Sequence, residues 1–306
     1  LCELFGVSKQ AYYKINEQKI AEKAAQVAFA VEFIRYVREY DHGIGGLKLW
    51  YMYRSEFAGN APLGRDRFED IIYKYGLKVR NKVRKPKTTD SSHGLPTFPN
   101  IIKDFIPTIA NQLWVSDITY IEMWENEMGH TFCYLSLILD AYSEEIVGYC
   151  VGPSLETIYP IAALKMALRR LQKGHHNLIH HSDRGIQYAS SEYVKILKSN
   201  GIAISMTETG DPKDNAQAER INNTIKNEMF KDVIFHNLDE VRTSVARAVD
   251  FYNNKRPHMS INMMTPSQAS LCTGEITKKW HSWREDAIKS KHESEITENS
   301  LPLPCG

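Results

Sequence analysis

NLIHHSDRGIQYAS, residues 177–190, joins a short apolar run to an aspartate, an arginine and a glycine loop. Leu178–His181 has the length and apolar character of a buried strand, and Ser191–Ser199 after the loop has helical spacing. Asp183 then stands at the carboxyl end of a strand, where open α/β sheets place their ligands. Taken alone, it is equally an Asx residue shaping a turn. Gly185 is expected to let the chain turn away from it.

Working outward, three β-rich runs precede this stretch: QLWVSDITYIEM (112–123), HTFCYLSLILD (130–140) and EEIVGYCVG (144–152). Their short separations suit an antiparallel meander. A helix at about Glu156–Gln172 leads into the Leu178 strand, and a strand at Ile202–Met206 and a helix from about Asp214 follow. The order predicts a mixed α/β sheet with helices on its faces.

Two further acids join Asp183. Asp117 lies inside the first strand, in LWVSDITYI, although strand interiors disfavour aspartate. Glu219 lies in GDPKDNAQAERINNTIKNEMF (210–230), where Asp214 can N-cap the helix and Gln217 can complete a capping box. Ala218, Ile221, Ile225 and Met229 make the buried stripe, which leaves Glu219 on a polar flank with Asn222, Asn223 and Lys226. Each acid has an ordinary reading: an edge residue, a turn former, a solvated helix face. Their joint placement on the first strand, the fourth strand and the last helix of one sheet favours a shared role. Asp140, ending the second strand, is read as structural.

The first third of the chain is different. Residues 1–110 hold 18 Lys and Arg against 12 Asp and Glu, and residues 111–260 hold 15 against 19. The basic part suits a polyanion, and the acidic part gathers carboxylates. LCELFGVSKQAYYK (1–14) reads as the second half of a helix-turn-helix, with Lys9, Gln10, Tyr12 and Tyr13 on the reading helix, or as an ordinary helical hairpin. Helical patterns follow at 18–40, with Ala24, Val27, Val31, Ile34 and Val37 in register, and at Leu47–Phe57 and Arg65–Tyr75. KVRNKVRKPK (78–87) carries six basic residues, and TTDSSHGLP after it reads as a linker. The polar tail after Ser270 is expected to be loosely packed.

Five scattered cysteines without a C-x-x-C pair fit reduced thiols, and His175, His176, His180 and His181 read as loop and strand residues rather than ligands. With no apolar run of about 20 residues and no signal-peptide layout, the expected setting is cytosolic. The chain opens on leucine within a helical pattern, so a preceding segment is expected, from a fragment or from joined reading frames.

The stretches LWVSDITYI, HHSDRGIQYAS, DNAQAER with its following lysine, and YNNKRPHMSINMMTPSQA (252–269), with 35 residues between Asp183 and Glu219, resemble the DDE-type transposases of bacterial insertion sequences. Their catalytic core is similar to retroviral integrase and has the ribonuclease H-like fold. The resemblance implies an α/β, ribonuclease H-like five-stranded mixed sheet with flanking helices behind an all-α helix-turn-helix region. The organisation expected is 1–77 helical DNA-binding, 78–110 basic segment and linker, 111–270 catalytic core and 271–306 tail.

It further implies a catalytic, metal-holding triad of Asp117, Asp183 and Glu219. Carboxylate oxygens suit Mg²⁺ or Mn²⁺, and two such ions roughly 3.5–4 Å apart, expected with DNA bound, can serve attack on a phosphodiester. Lys226 is expected at a DNA phosphate, and so are Arg256 and His258, for which a structural role is the alternative. The partners implied are double-stranded DNA (element terminal repeats and target DNA), further copies of the chain in at least a dimer, and an upstream-frame helix-turn-helix product, in the bacterial cytoplasm at the nucleoid. The function implied is DNA strand cleavage and transfer at element ends. A catalytically silent DNA-binding or assembly protein, or a plain ribonuclease H-like nuclease, are the alternatives.

The basic run is expected to meet the DNA backbone rather than bases, because its charges alternate with Val79, Asn81 and Val83 in a segment too short for a folded reader. Replacing Arg80, Lys82, Arg84 and Lys85 with glutamine should weaken binding to element ends and to unrelated DNA alike, and flatten the slope of log affinity against log salt by roughly 3–4 units. A salt titration on an end sequence and a scrambled one checks this; an unchanged slope, or a loss confined to the end sequence, refutes it.

Overall fold

The computed structural model describes residue 6 and residues 17–57, 63–79, 96–125, 129–171, 177–208 and 215–299. Lys9 and Gln10 of the expected reading helix, and Arg80, Lys82, Arg84 and Lys85 of the basic run, lie outside the described residues. The chain forms two compact units, residues 1–83 and 84–306.

Among the described residues, the first unit has three helices, α1 (Glu17–Arg38), α2 (Gly46–Glu56) and α3 (Arg65–Lys74). An aromatic centre holds them together: the Tyr53 ring lies 5.5 Å from Phe33 and 5.1 Å from Phe68. The apolar stripe expected along α1 is buried only in its second half, at Val31, Ile34 and Val37, while Ala24 is exposed. Gly76, at φ +65°, ends α3 with its own N–H on the Tyr73 carbonyl and the Leu77 N–H on that of Ile72. That left-handed closure satisfies carbonyls the helix leaves open.

The second unit is built on five strands: β1 (Leu113–Glu125), β2 (Gly129–Asp140), β3 (Ile146–Gly152), β4 (Ile179–Ser182) and β5 (Ala203–Met206). Their order is β3-β2-β1-β4-β5. β1, β2 and β3 pair antiparallel, and β4 and β5 add in parallel on the other side of β1. This is the expected ribonuclease H-like mixed sheet, and its helices are α4 (Ile158–Arg170), α5 (Ile186–Ala189), α6 (Ser191–Ser199), α7 (Ala216–Asn223), α8 (Leu238–Asn254), α9 (Pro266–Ala269) and α10 (Trp283–Asn299).

Strand alternation sends side chains to two faces. On one, Trp114, Ile138 and Val147 join Ile161 and Leu164 of α4 and Tyr193 and Leu197 of α6 in a single apolar cluster. On the other, α7 packs against β1 and β2, and α8 packs against β3. The stripe Ala218, Ile221, Ile225 and Met229 is buried as expected. The helix is not uniform, however: beyond Asn223 it passes into a π-helical segment, Thr224–Met229. Such π segments are rare within helices. Among the described residues, no helix is long and apolar enough to cross a membrane.

Two expectations change here. The described part of the tail is not loose: Gly274 N–H donates to the Thr108 carbonyl, Arg284 donates to the carbonyls of Ile102 and Lys103, and Lys291 pairs with Asp104. α10 buries Ile288. The low apolar content concealed this, because polar anchors hold the segment. Arg256 and His258, expected at DNA, are buried instead at 2% and 8% exposure. Arg256 donates to Glu228 of the π segment at 2.6 Å, and His258 stacks edge-on against Tyr252 at 4.4 Å. A guanidinium so enclosed ties α8 to the π segment and does not present itself to a phosphate.

Asp140 has the structural role expected of it. Its carboxylate is 1% exposed and accepts from Asn111 N–H, Ser143 N–H and Ser143 Oγ at 2.6, 2.8 and 2.7 Å. Burial raises its pKa against the pull of those donors. Asp140→Ala leaves several buried donors unpaired and should cost about 3 kcal/mol. Urea denaturation measures it, and a loss below about 1 kcal/mol would be that of an ordinary, non-structural substitution.

Candidate active site

The site begins with a register. Parallel pairing of β1 with β4 matches Trp114 to His180, Val115 to His181 and Ser116 to Ser182. Asp117 and Asp183 are the next residues on the two strands, so they emerge side by side where β4 stops. β1 runs on to Glu125 against β2. Asp117 is therefore an interior strand residue only on its β2 side. Both carboxylates are half-buried.

Each is held by a neighbour. Asn222 of α7, 5% exposed, donates from Nδ2 to Asp117 Oδ2 at 2.7 Å. Asn215, before α7, donates to the Ser116 carbonyl at 3.0 Å and fixes the helix start to the same strand. The Gly185 N–H donates to Asp183 Oδ1 at 3.0 Å. Arg184 donates from Nε to the Thr207 carbonyl at 2.6 Å, clasping the end of β4 to the residue after β5. Asn222 is a residue that the sequence reading missed, because helical spacing put it on the solvated flank. Its place one turn after Glu219 was the available signal.

Gly185 works differently from expectation. At φ −59° and ψ 142° its backbone is open to any residue. What it supplies is space: a Cβ there would stand 2.9 Å from Asp183 Oδ1.

Beneath the carboxylates, His180 Nε2 meets Ser116 Oγ at 2.8 Å and Tyr193 Oη at 3.0 Å. Burial, and then the neighbouring His181, hold the His180 imidazole down to a pKa of about 3, so it is neutral. His181 Nδ1 meets Ser205 Oγ at 2.8 Å. These two histidines are internal struts, and His175 and His176 lie outside the described residues.

Glu219 is exposed on α7, one turn before Asn222. Lys226 carries its Nζ over the Tyr120 ring, 3.1 Å from the centroid, beside the strand that bears Asp117. Among the described residues, no group of three His, Cys, Asp or Glu side chains is close enough to hold an ion. The structure thus brings together Asp117 and Asp183 and leaves Glu219 on the adjoining helix. The two aspartates suit a divalent cation by donor chemistry, being hard oxygens side by side and accessible at strand ends.

Gly185→Ala tests this geometry. The added methyl must push the Asp183 carboxylate aside without disturbing the core, so the melting temperature should hold while Mn²⁺ affinity, read by calorimetry, falls about 10-fold or more. Wild-type Mn²⁺ affinity in that variant would mean that the position of Oδ1 is unimportant.

Integrase core domain models match residues 107–212 and 200–266, which span the sheet and both aspartates. The uncharacterized 31 kDa protein of insertion element IS600 from Shigella sonnei is 34% identical over 275 residues, covering 87% of this chain and 96% of the relative. The transposase for insertion sequence element IS629, also from Shigella sonnei, is 30% identical over 276 residues, covering 88% and 90%. A chain of the simian T-cell lymphotropic virus intasome, solved with PP2A regulatory subunit B56 gamma, superposes with a TM-score of 0.46 at 17% identity, covering 72% of this chain and 73% of that one. With near-full-length matches to insertion-element proteins laid over this sheet, the chain belongs to the family of insertion-sequence transposases that carry an integrase core domain.

Proposed function

We propose that this chain cuts DNA at the ends of an insertion element and joins the freed ends to target DNA, with Asp117, Asp183 and Glu219 as its metal-holding acids. The reading is carried by one observation above all: the β1–β4 register, which sets Asp117 beside Asp183. In each step one P–O bond forms as another breaks, so the chemistry needs positioning and charge stabilisation rather than a co-reactant.

A bound Mg²⁺ or Mn²⁺ supplies that stabilisation and a more acidic attacking oxygen. The protein's own part is orientation. The amide of Asn222 and the N–H of Gly185 each occupy one oxygen of an aspartate. Glu219, exposed one turn from Asn222, has the reach of a flexible side chain to complete the set as substrate arrives. Lys226, held over Tyr120, is suited to a phosphate oxygen near Asp117. The basic run at Arg80, Lys82, Arg84 and Lys85, with Lys9 and Gln10 ahead of it, is proposed to hold the DNA duplex. Joining two ends to one target requires at least two copies on the DNA.

Asp117→Asn, Asp183→Asn and Glu219→Gln should each lower strand transfer by roughly 100-fold or more while melting temperature and DNA affinity stay near wild type. The assay uses duplexes bearing the inverted repeats that flank the gene, at saturating Mg²⁺. An amide variant that keeps most of its activity removes that residue from the triad. Full activity in all three would leave the chain a DNA-binding protein whose core does no chemistry.

A further inference from the structure

Tyr188, in α5, presents a contradiction. Its side chain is 3% exposed, and its Oη has no hydrogen-bond partner among the described residues. Burying an unpartnered hydroxyl costs stability, and phenylalanine would fill the same space without that cost. The neighbouring Tyr193 shows the ordinary solution: equally enclosed, with its ring 5.4 Å from that of Tyr188, its hydroxyl is hydrogen-bonded to His180 Nε2 at 3.0 Å. Tyr188 packs 6.1 Å from the same imidazole without bonding to it.

The surroundings indicate what that hydroxyl serves. Tyr188 N–H donates to the Gly185 carbonyl at 3.0 Å, and Gly185 N–H donates to Asp183 Oδ1 at 3.0 Å, so the tyrosine and the carboxylate are fixed to one glycine. A point at the missing Cβ of Gly185 lies 2.9 Å from Asp183 Oδ1 and 3.6 Å from Tyr188 Cδ2, which puts the ring edge and the carboxylate around the same small space. Burial, then Tyr193, then Asp117 and Asp183 all push the phenol pKa up. The hydroxyl therefore keeps its proton and stays a donor, within the field of both aspartates.

We propose that Tyr188 is a positioning residue for the aspartate pair, its Oη–H donating to a carboxylate oxygen of Asp117 or Asp183 when the pair takes its working, cation-holding arrangement. The inference rests on the triad reading above and adds a residue to it. A carboxylate has about four lone-pair sites, so a group of this kind can accept several donors while it also holds a cation. Groups that orient metal-holding side chains in this way typically alter metal affinity or activity by 10–100-fold when removed. The arrangement also accounts for the cost: a donor unpartnered in one state is kept for the bond it makes in another.

The test compares Tyr188→Phe with Tyr193→Phe and Asp183→Asn in the full chain, measuring melting temperature, Mn²⁺ binding by calorimetry, affinity for an end duplex and strand transfer. Tyr188→Phe should melt at or above the wild-type temperature, because it removes an unpartnered hydroxyl, yet bind Mn²⁺ and transfer strands roughly 10–100-fold less well with DNA affinity unchanged. Tyr193→Phe, which breaks an existing bond, should melt lower. Wild-type Mn²⁺ binding and transfer in Tyr188→Phe, beside an inactive Asp183→Asn, overturn the proposal and leave the triad standing. A lowered melting temperature in Tyr188→Phe that parallels its loss of activity also overturns it, because the hydroxyl would then be supporting the fold. An active Asp183→Asn brings down the triad reading, and the role of Tyr188 falls with it.

Discussion

Parallel pairing between β1 and β4 is the constraint on which the rest of the catalytic unit depends. The two strands are far apart in sequence, and only four residues of each are matched before β4 ends, at Ser116 and Ser182. Because strand side chains alternate with a period of two, a slip of one residue would send Asp183 to the opposite face from Asp117. The register is therefore secured from several sides. His180 reaches across to Ser116, Asn215 holds the Ser116 carbonyl, and Arg184 grips Thr207. The last two bonds engage backbone carbonyls, which a shifted strand could not offer in the same places.

Stability and function pull against one another around this register. Tyr193, His180 and Ser116 form a buried polar group whose shared contacts offset their burial. A few ångströms away, the Tyr188 hydroxyl and one oxygen of Asn222 are buried without such compensation. Unsatisfied groups of this kind are uncommon in a native core and tend to gather where a protein binds or reacts. Asn222 bonds to Asp117, and Tyr188 sits beside the loop of Asp183; another such hydroxyl, that of Tyr53, lies in the helical first unit. The more ordinary polar interior is Asp140 with its three donors, paired with Trp114 at the start of β1.

The corner after α8 shows how a basic motif acquires a different meaning once it is folded. KRPH reads as a surface cluster suited to phosphate, but Arg256 is among the most deeply enclosed large side chains, paired with Glu228. Removing one partner of such a pair strands a charge in the interior, which is far more costly than losing a surface contact. Its position also gives the π segment a fixed anchor at Glu228, two residues beyond Lys226. The helix that carries Glu219 is thus held at both ends, by Asn215 on β1 and by Arg256 beyond α8.

The sequence by itself determined the elements and the family. Alternating and helical apolar patterns marked all five strands and the helices around them, because burial imposes those periods locally. Aspartates at a strand interior and a strand end stood out as candidates, because such positions are unfavourable without a use. Tertiary structure alone decided which polar residues were buried and what they touched. Asn222 and Glu219 occupy neighbouring turns of one helix, yet the first is buried against Asp117 and the second is exposed. The tail carries too few apolar residues to announce a packed segment, yet its backbone bonds to Thr108 and its arginine to Ile102 and Lys103 hold it. Hydrogen bonds between residues a hundred or more positions apart leave no periodic trace in a chain. They depend on where the sheet brings its strand ends, and that is settled only when the long-range pairing is made.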